Sequence, residues 1–329
     1  MKQEESTALE NKIKNTCGNI AGAVVLKDGR TAYEGYFNGC AKNEPIHVFS
    51  VTKSVISMLF GIAFDKGYLK SPDEKVVDFF PHYQIKKREE TIQHITIKHL
   101  LTMTAPYKYR FAPYTKFFSS DDWVTASLDL LGGKQKVGDF RYAPVIGIDI
   151  LSGILVNTTG RSVLSFAQEH LFSPLEISVE NNIFFDTKED QMHFYKQKGM
   201  NGWVVDPKGT NTAGWGLSLT AMDMAKLGLL YLQQGRWNGQ QLVSQTWVSE
   251  STKTQSVWEK CGLKYGYLWW VIDEMEHSFA ALGDGGNAIY VNPKYNIVVA
   301  LSSVFAPRVK DRIDFIKNDI EPLFQGGCV

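Results

Sequence analysis

The chain has 329 residues, 44% of them hydrophobic and 21% charged, and its 35 basic residues balance 35 acidic ones. This composition is ordinary for a globular protein, and the length suits one large domain or two closely joined subdomains. A formal net charge of zero gives no electrostatic reason to expect nucleic acid or an anionic membrane surface as a partner. We therefore expect neither.

The N-terminal region predicts a helix, two strands and then a second, buried helix. Residues 7–16 fit a short amphipathic helix, and residues 22–37 indicate two strands that turn at Asp28-Gly29, a strong hairpin signal. From Ser50 to about Tyr68 the sequence is apolar on most sides of a helix, which is typical of a buried helix. Gly67 is its expected terminator.

The central part of the chain is predicted to be mostly helical. Helices are expected over residues 95–105, 121–131, 144–158, 162–172, 221–235 and 244–252. Thr220 is the expected N-cap of the helix over 221–235. Residues 199–215 are rich in Gly and Asn and predict a loop. Residues 105–119 are irregular, aromatic and basic, and a loop of this length in a compact domain is often functional.

Towards the C-terminus the hydrophobic pattern changes to a period of two. Strands are expected over residues 265–272, 278–282, 287–291 and 296–303, and a helix over 308–323. The simplest architecture is α+β, with one antiparallel sheet built from both termini, flanked by the first and last helices, and a mostly helical subdomain. We predict a single domain over 1–329. Its sheet subdomain spans about 15–49 and 255–329, and the helical subdomain is inserted at about 50–254.

Cysteine and histidine spacings predict neither a disulfide framework nor a metal site. The cysteines are far apart and form no CxxC pair: Cys17, Cys40, Cys261 and Cys328. The histidines show no HExxH or paired ligand spacing: His47, His82, His94, His99, His170, His193 and His277. No glycine-rich phosphate loop follows a predicted strand, so no cofactor is expected.

The first 15 residues are charged and contain no apolar stretch of the kind found in signal peptides. No run in the chain approaches the ~18 apolar residues of a membrane span. We therefore expect a cytoplasmic protein that is not embedded in a membrane. The sequence is silent on the oligomeric state.

The stretch "FSVTKS", residues 49–54, places Lys53 three positions after Ser50, where the buried helix begins. Positions i and i+3 share a helix face, so the two side chains can touch. Burial disfavours the charged form of a lysine and lowers its pKa, and a neutral amine beside a hydroxyl is a general base. The free N–H groups at a helix N-terminus can also stabilise an oxyanion.

The spacing has an ordinary interpretation as well. Serine is a common N-cap, and Lys53 could be a solvated helix residue. Ser50 is the only serine of the chain with a lysine three positions later, and the apolar helix that follows favours the functional interpretation.

Further segments resemble a known family. "FSVTKS", then "YLKSPDEKVVDFFP" and "ITIKHLLTMTA", and later "AGWGLSLTAMDMAKLGLLYLQQG", occur in the order seen in the serine β-lactamase/penicillin-binding-protein-like superfamily, from about residue 20 to 320. The class C and esterase-type branch is the one that the chain resembles most. The resemblance implies a β-lactamase/transpeptidase-like fold with an antiparallel sheet and a helical subdomain.

The resemblance also implies roles for individual residues. Ser50 matches the acylated nucleophile, Lys53 its base, and Tyr142 the tyrosine of the family's Y-x-N motif, which moves protons between the nucleophile, the lysine and the leaving group. A lysine ammonium beside that phenol would favour phenolate. The third motif position is Pro144 here, so the amide that orients substrate is missing.

The family's third box, K-T-G or H-T-G, aligns with Ala281, Leu282 and Gly283. The glycine matches and the cationic first residue is absent, and we do not expect His277 to replace it. In the family the residue after this glycine supplies an oxyanion N–H, which here is Asp284. Glycines such as Gly285 fit a strand edge that a ligand approaches closely, although a plain hairpin turn would also explain them.

These assignments predict a serine hydrolase that acts through an acyl-enzyme on a small ester or amide. Ala281 cannot hold a substrate carboxylate and Asp284 would repel one, so neutral or cationic substrates are expected and poor β-lactam turnover. Residues 105–118 are a candidate lid, and Trp203 and Trp215 either wall the pocket or pack in the core. Two alternatives stay open: a β-lactam- or peptide-binding or sensor module with little turnover, and a structural, self-assembling protein.

Overall fold

The computed structural model describes residues 3–325. The strands in this part of the chain are β1 (Ile20–Lys27), β2 (Arg30–Tyr36), β3 (Ile46–His47), β4 (Asn181–Ile183), β5 (Gly202–Val204), β6 (Ser218–Leu219), β7 (Arg236–Trp237), β8 (Gln240–Gln241), β9 (Ser256–Trp258), β10 (Leu263–Tyr265), β11 (Trp270–Asp273), β12 (Ser278–Gly283), β13 (Asn287–Asn292) and β14 (Ile297–Ser303). The helices are α1 (Gln3–Thr16), α2 (Val51–Asp65), α3 (Ile97–Leu101), α4 (Tyr114–Phe118), α5 (Trp123–Leu130), α6 (Ile150–Thr159), α7 (Val163–Ala167), α8 (Lys188–Phe194), α9 (Ala221–Leu232), α10 (Gln245–Thr252), α11 (Arg312–Phe315) and α12 (Pro322–Gln325).

Eight strands form the main sheet in the order β2-β1-β14-β13-β12-β11-β10-β9, and neighbouring strands run antiparallel. Val24 of β1 lies opposite Ala300 of β14, so strands from the two ends of the chain pair directly, one strand in from the β2 edge of the sheet. The predicted α+β architecture, with one antiparallel sheet built from both termini, is confirmed.

Helices cover both faces of this sheet. Because side chains alternate along a strand, Val24 and Ala300 join the core that contains α2 and α9. Their neighbours Val25 and Leu301 point to the opposite face, where α1, α11 and the π-helical turn 316–320 pack. The helices α2 and α9 of the predicted helical subdomain thus share a core with the sheet. The proposed subdomain boundaries stay a prediction.

Helix α2 is buried on all sides, as its composition predicts. Every residue from Val51 to Ala63 is buried, including Lys53. A Cβ at Gly61 would lie 2.3 Å from a ring carbon of Trp247, so glycine is what lets α10 approach. The helix ends at Asp65, earlier than expected, and Gly67 follows with φ +76°.

The structure corrects several predicted elements of the central segment. The helix expected over 144–158 begins only at Ile150, because Gly147 adopts φ +101° with the Tyr107 ring packed against it. The irregular segment 105–119 contains the short helix α4. The loop expected over 199–215 contains β5, which pairs in parallel with β4.

The C-terminal part also differs from expectation. The single strand expected over 265–272 is two strands, because at Gly266 the chain turns towards α10; a Cβ there would lie 2.1 Å from the Ser251 carbonyl oxygen. Strand β9 was not predicted. The helix expected over 308–323 starts at Arg312, where the Asp311 side chain accepts from the Ile313 and Asp314 N–H groups. It continues through a π-helical turn into α12.

No helix within residues 3–325 is both long enough and apolar enough to cross a membrane. Cys17 and Cys40 are free and buried and Cys261 is free and exposed, whereas Cys328 lies outside the described residues. The cytoplasmic location stays a prediction.

Candidate active site

Ser50 lies between β3 and α2, at the entrance to the buried helix. The residue before it, Phe49, has φ +49°, a left-handed conformation that a bulky side chain rarely adopts. The Phe49 ring is fixed by the His47 ring, 4.0 Å away between centroids, and by Phe305 at 5.4 Å. This turn sets Ser50 at the N-terminus of α2, with its side chain partly exposed.

Lys53 is 1% exposed, and its amine is held at three points. The distances from Nζ are 2.9 Å to Ser50 Oγ, 2.7 Å to the Pro144 carbonyl oxygen and 2.8 Å to the Gly214 carbonyl oxygen. Carbonyl oxygens only accept hydrogen bonds. The two N–H groups of a neutral amine would therefore point at Pro144 and Gly214, which leaves the lone pair directed at the Ser50 hydroxyl.

The surroundings of Lys53 favour this neutral form. Burial lowers the pKa of Lys53 to about 7, while the charges of Asp284 and Asp149 oppose the shift. Within residues 3–325, no carboxylate lies within 4 Å of its amine. A substantial fraction of Lys53 is thus uncharged near neutral pH and able to accept the proton of Ser50.

Tyr142 is brought to the same place. Its ring centroid lies 5.3 Å from Lys53 Nζ, and the ring packs on Trp270. Burial raises the pKa of Tyr142 to about 12, an effect that the side-chain hydrogen bond with Ser50 opposes and the charge of Asp284 reinforces. The expectation that Lys53 would favour phenolate is wrong, because burial dominates. Tyr142 is a phenol at neutral pH and suits proton donation.

Gly283 reaches the site from the end of β12. A Cβ on Gly283 would lie 2.2 Å from the Val48 carbonyl oxygen and 3.3 Å from the Ser50 backbone nitrogen. The end of strand β12 therefore lies directly against the segment that carries Ser50. Only glycine, which has no Cβ, allows this approach.

Asp284 and Gly285 continue from there into the turn 284–286 between β12 and β13. Asp284 is exposed, and its charge acts on Lys53 and Tyr142. Gly285 instead lies against Phe305 and accepts a hydrogen bond from Asn19. The segment is thus both a hairpin turn and a neighbour of Ser50. The role of the Asp284 N–H at an oxyanion stays a prediction.

Asp149 is a buried acid that sequence reasoning missed. It is 2% exposed, and its Oδ1 accepts from the Ala213 N–H at 2.8 Å. Burial raises the pKa of Asp149 to about 7. Because Ala213 precedes the Gly214 carbonyl that holds Lys53, Asp149 fixes part of the lysine's surroundings. A carboxylate inside the apolar run "VIGIDILSGIL" was the available signal.

His47 is fixed three residues before Ser50. Its Nε2 accepts from the Gly216 N–H at 2.9 Å, and burial lowers the pKa of His47 to about 3. The ring is therefore neutral and holds backbone, which leaves Lys53 as the base beside Ser50.

The other predicted pocket residues divide between core and surface. Trp203 is fully buried and donates to the Thr212 carbonyl, so core packing accounts for it. Trp215 is 3% exposed, and its ring packs edge-on against that of Tyr195, with 5.7 Å between the ring centroids.

The segment 105–118, the candidate lid, contains both a buried and an exposed aromatic side chain. Phe117 is 1% exposed and Phe111 is 81% exposed, and a lid role for this segment stays a prediction.

His277 lies in the turn before β12, at the opposite end of that strand from Gly283. Among residues 3–325, no group of three His, Cys, Asp or Glu side chains is placed to hold a metal ion.

Comparison with known proteins adds to this geometry. A family model described as Beta-lactamase matches residues 12–317. The 6-aminohexanoate-dimer hydrolase of Paenarthrobacter ureafaciens is 22% identical over 317 residues, which cover 90% of this chain and 75% of that protein.

Solved structures show the same architecture. A penicillin-binding protein homologue from Caulobacter crescentus has a TM-score of 0.70 at 15% identity, with 92% of each chain covered. EstCE1, a hydrolase with promiscuous acyltransferase activity, has a TM-score of 0.73 at 16% identity, with 98% of each chain covered. These likenesses confirm the predicted β-lactamase/transpeptidase-like fold.

Proposed function

The chain belongs to the beta-lactamase family, and on that premise we propose that it hydrolyses a small ester or amide through an acyl-enzyme on Ser50. The observation that carries the proposal is the buried amine of Lys53, 2.9 Å from Ser50 Oγ, with its two other hydrogen bonds taken by carbonyl oxygens. A serine hydroxyl needs such a base to become a nucleophile.

In the proposed reaction, Ser50 Oγ attacks the substrate carbonyl carbon while Lys53 takes the hydroxyl proton. The carbonyl oxygen becomes an oxyanion and receives hydrogen bonds from the backbone N–H groups of Ser50 and Asp284. The bond to the leaving group then breaks, and the Tyr142 hydroxyl donates the proton that the departing oxygen or nitrogen needs. Lys53 returns its proton to Tyr142. Water then attacks the acyl-enzyme and loses a proton to Lys53. The bond between the acyl carbon and Ser50 Oγ breaks, Lys53 returns the proton to Ser50 Oγ, and the carboxylic acid product leaves.

The substrate side of the site favours neutral or cationic acyl compounds over β-lactams. Ala281 is 1% exposed and packs in the main core, so the place of the family's cationic residue is filled by an apolar side chain. The exposed carboxylate of Asp284 would repel a substrate carboxylate. The 22% identical relative is named 6-aminohexanoate-dimer hydrolase. Two amino acids condense through an amide bond, so this name agrees with an amide among the substrates.

The test is active-site labelling with a fluorophosphonate, followed by hydrolysis of p-nitrophenyl esters. We expect the wild type to be labelled and to turn over ester, and Ser50→Ala to lose both by at least about a thousandfold. Ser57→Ala is the matched control: Ser57 is a buried serine of the same helix, and its loss should leave labelling intact.

Two outcomes would contradict the proposal. A correctly folded wild type that is neither labelled nor active favours a binding or sensor module of the same fold. Cephalosporin turnover that exceeds ester turnover at equal enzyme concentration would overturn the proposed substrate preference.

A further inference from the structure

We propose that Asp284 and the aromatic side chains Phe49, Tyr195 and Phe305 bind a positively charged ammonium group of the substrate. The inference rests on the proposed hydrolase function and names the class of substrate: esters or amides with a cationic nitrogen near the reacting carbonyl.

The first support is an exposed acid at the mouth of the site without an ionic partner. Asp284 follows Gly283, whose backbone lies against the Ser50 backbone nitrogen. Within residues 3–325, no lysine, arginine or histidine nitrogen lies within 4 Å of its carboxylate. This carboxylate is thus able to pair with a substrate group near Ser50, where it attracts cations and repels anions.

The second support is the row of rings beside it. Phe49 lies between Tyr195 and Phe305, with ring centroids 5.7 Å and 5.4 Å away. Phe305 and Asp284 line the same hollow of about 560 Å³. Tyr195 and Phe305 thus flank the Phe49 ring, and Phe305 is the ring that reaches the hollow lined by Asp284. Aromatic faces next to a carboxylate suit an alkylammonium group.

Basic residues restrict where the cation can sit. Arg308, Lys310 and Arg312 line the hollow on the wall formed by residues 305–313. Arg312 is 5% exposed, stacks on Gly286 and donates to Asn19 Oδ1 at 2.6 Å. Asp311 lies in the same wall and balances one of these three cations, so the wall keeps a net positive charge that disfavours a further cation. The ammonium group is therefore placed on the Ser50 side of Asp284, next to Phe49 and Tyr195.

The arrangement couples substrate charge to the general base. The charged groups that face Lys53 are Asp149, at the start of α6, and Asp284, at the end of β12, and both favour its protonated form. An ammonium group paired with Asp284 offsets that effect, so Lys53 gives up its proton more readily. Asp284 would thus select a cationic substrate, and the bound ammonium group would favour the unprotonated, reactive form of Lys53.

The test compares two p-nitrophenyl esters of equal shape: the 6-(trimethylammonio)hexanoate and the 7,7-dimethyloctanoate, in which a tert-butyl group replaces the cation. For the wild type we expect kcat/KM to be at least about tenfold higher for the cationic ester. In Asp284→Asn the ratio should fall by at least about threefold, to the part of the preference that the aromatic rings supply, whatever happens to the absolute rates. Asp314→Asn removes an exposed carboxylate of α11 outside the hollow and should keep the wild-type ratio.

The outcomes separate this inference from the function on which it rests. Ser50-dependent hydrolysis of both esters, with no preference for the cation or with a preference unchanged in Asp284→Asn, overturns the ammonium site and leaves the hydrolase intact. A wild type that hydrolyses neither ester and resists fluorophosphonate overturns both. Added salt should lower the wild-type ratio, because exposed charges are screened.

Discussion

The two sides of the Ser50 cleft are built differently. On the α2 side, Lys53 is 1% exposed and its amine has three hydrogen-bond partners, two of them backbone carbonyls. On the sheet side, the turn 284–286 carries an exposed acid and two glycines with positive φ. In the proposed reaction, proton transfer is thus positioned by buried packing, whereas the substrate meets an exposed acid on a short turn.

Pro144 departs from the family motif in its side chain, whereas its backbone still contacts Lys53. Its side chain lacks the amide of the family motif, but its carbonyl oxygen lies 2.7 Å from Lys53 Nζ. A proline therefore changes what the substrate meets while leaving the lysine's hydrogen bond in place. We therefore expect departures from the family pattern at side chains to affect substrate choice more than proton transfer.

Replacing the buried base should have the largest effect. Lys53→Met keeps a long apolar side chain and removes the amine, so ester hydrolysis should fall by about 10²–10⁴-fold. The measurement is kcat/KM, with circular dichroism as the control for folding.

The same variant should change how stability depends on pH. The folded protein holds the pKa of Lys53 at about 7, against 10.5 for an unperturbed lysine. For this group the free energy of unfolding therefore rises with pH between about 7 and 10.5, and Lys53→Met should lack that rise.

A folded Lys53→Met protein that keeps full activity would contradict this difference between the two sides, because the amine on the α2 side would then not take the proton of Ser50. Lys53→Arg should fare no better, since a guanidinium stays charged and cannot act as a base.

A change on the sheet side should have a smaller effect. In Gly283→Ala the new Cβ would lie 2.2 Å from the Val48 carbonyl oxygen, so β12 must move away from Ser50. We expect kcat/KM to fall about ten- to a hundredfold and the free energy of unfolding to fall by about 1–3 kcal/mol. Gly262→Ala is the control, because its φ is +67° but no atom lies within 4 Å of the added Cβ. It should cost about 1–2 kcal/mol and leave activity unchanged. Equal kinetic losses in both variants would show that Gly283 acts only through stability.

The smallest expected effect is a shift in the pH dependence of kcat/KM, which tests the buried side of the site. With a neutral ester, kcat/KM should rise with pH through about 7 as Lys53 loses its proton, with no falling limb below pH 10 because the pKa of Tyr142 is about 12. Asp149→Asn removes a charge that favours protonated Lys53, so the rising limb should move to lower pH by roughly half a unit to one unit. The asparagine oxygen can still accept from Ala213, so the alkaline plateau should stay. A limb that stays in place would mean that Asp149 acts through hydrogen bonding alone.

The sequence predicted the parts of this molecule that local patterns determine. Alternating apolar residues predicted β12 to β14, the apolar run predicted the buried α2, and the i, i+3 spacing brought Ser50 and Lys53 together. Tyr142 came only from the family resemblance, since nothing local places it 5.3 Å from Lys53.

What was missed depends on the path of the backbone through space. The Pro144 and Gly214 carbonyls meet Lys53 although they are 91 and 161 residues away from it, and no local pattern carries that information. The break between β10 and β11 arises because Gly266 approaches α10, a contact that the strand-like composition of residues 265–272 hides.

The pairing of the first long strand with the last has a consequence for synthesis of the chain. Strand β1 pairs with β14, with Val24 opposite Ala300, so the ribosome makes Ser50 and Lys53 long before the sheet can close. A nascent chain that ends before residue 297 lacks the partner of β1 and exposes that strand's edge, where intermolecular pairing can begin. Closure over such a sequence separation slows folding. We therefore expect acquisition of activity to wait for release of the last strand, and C-terminally truncated chains to aggregate.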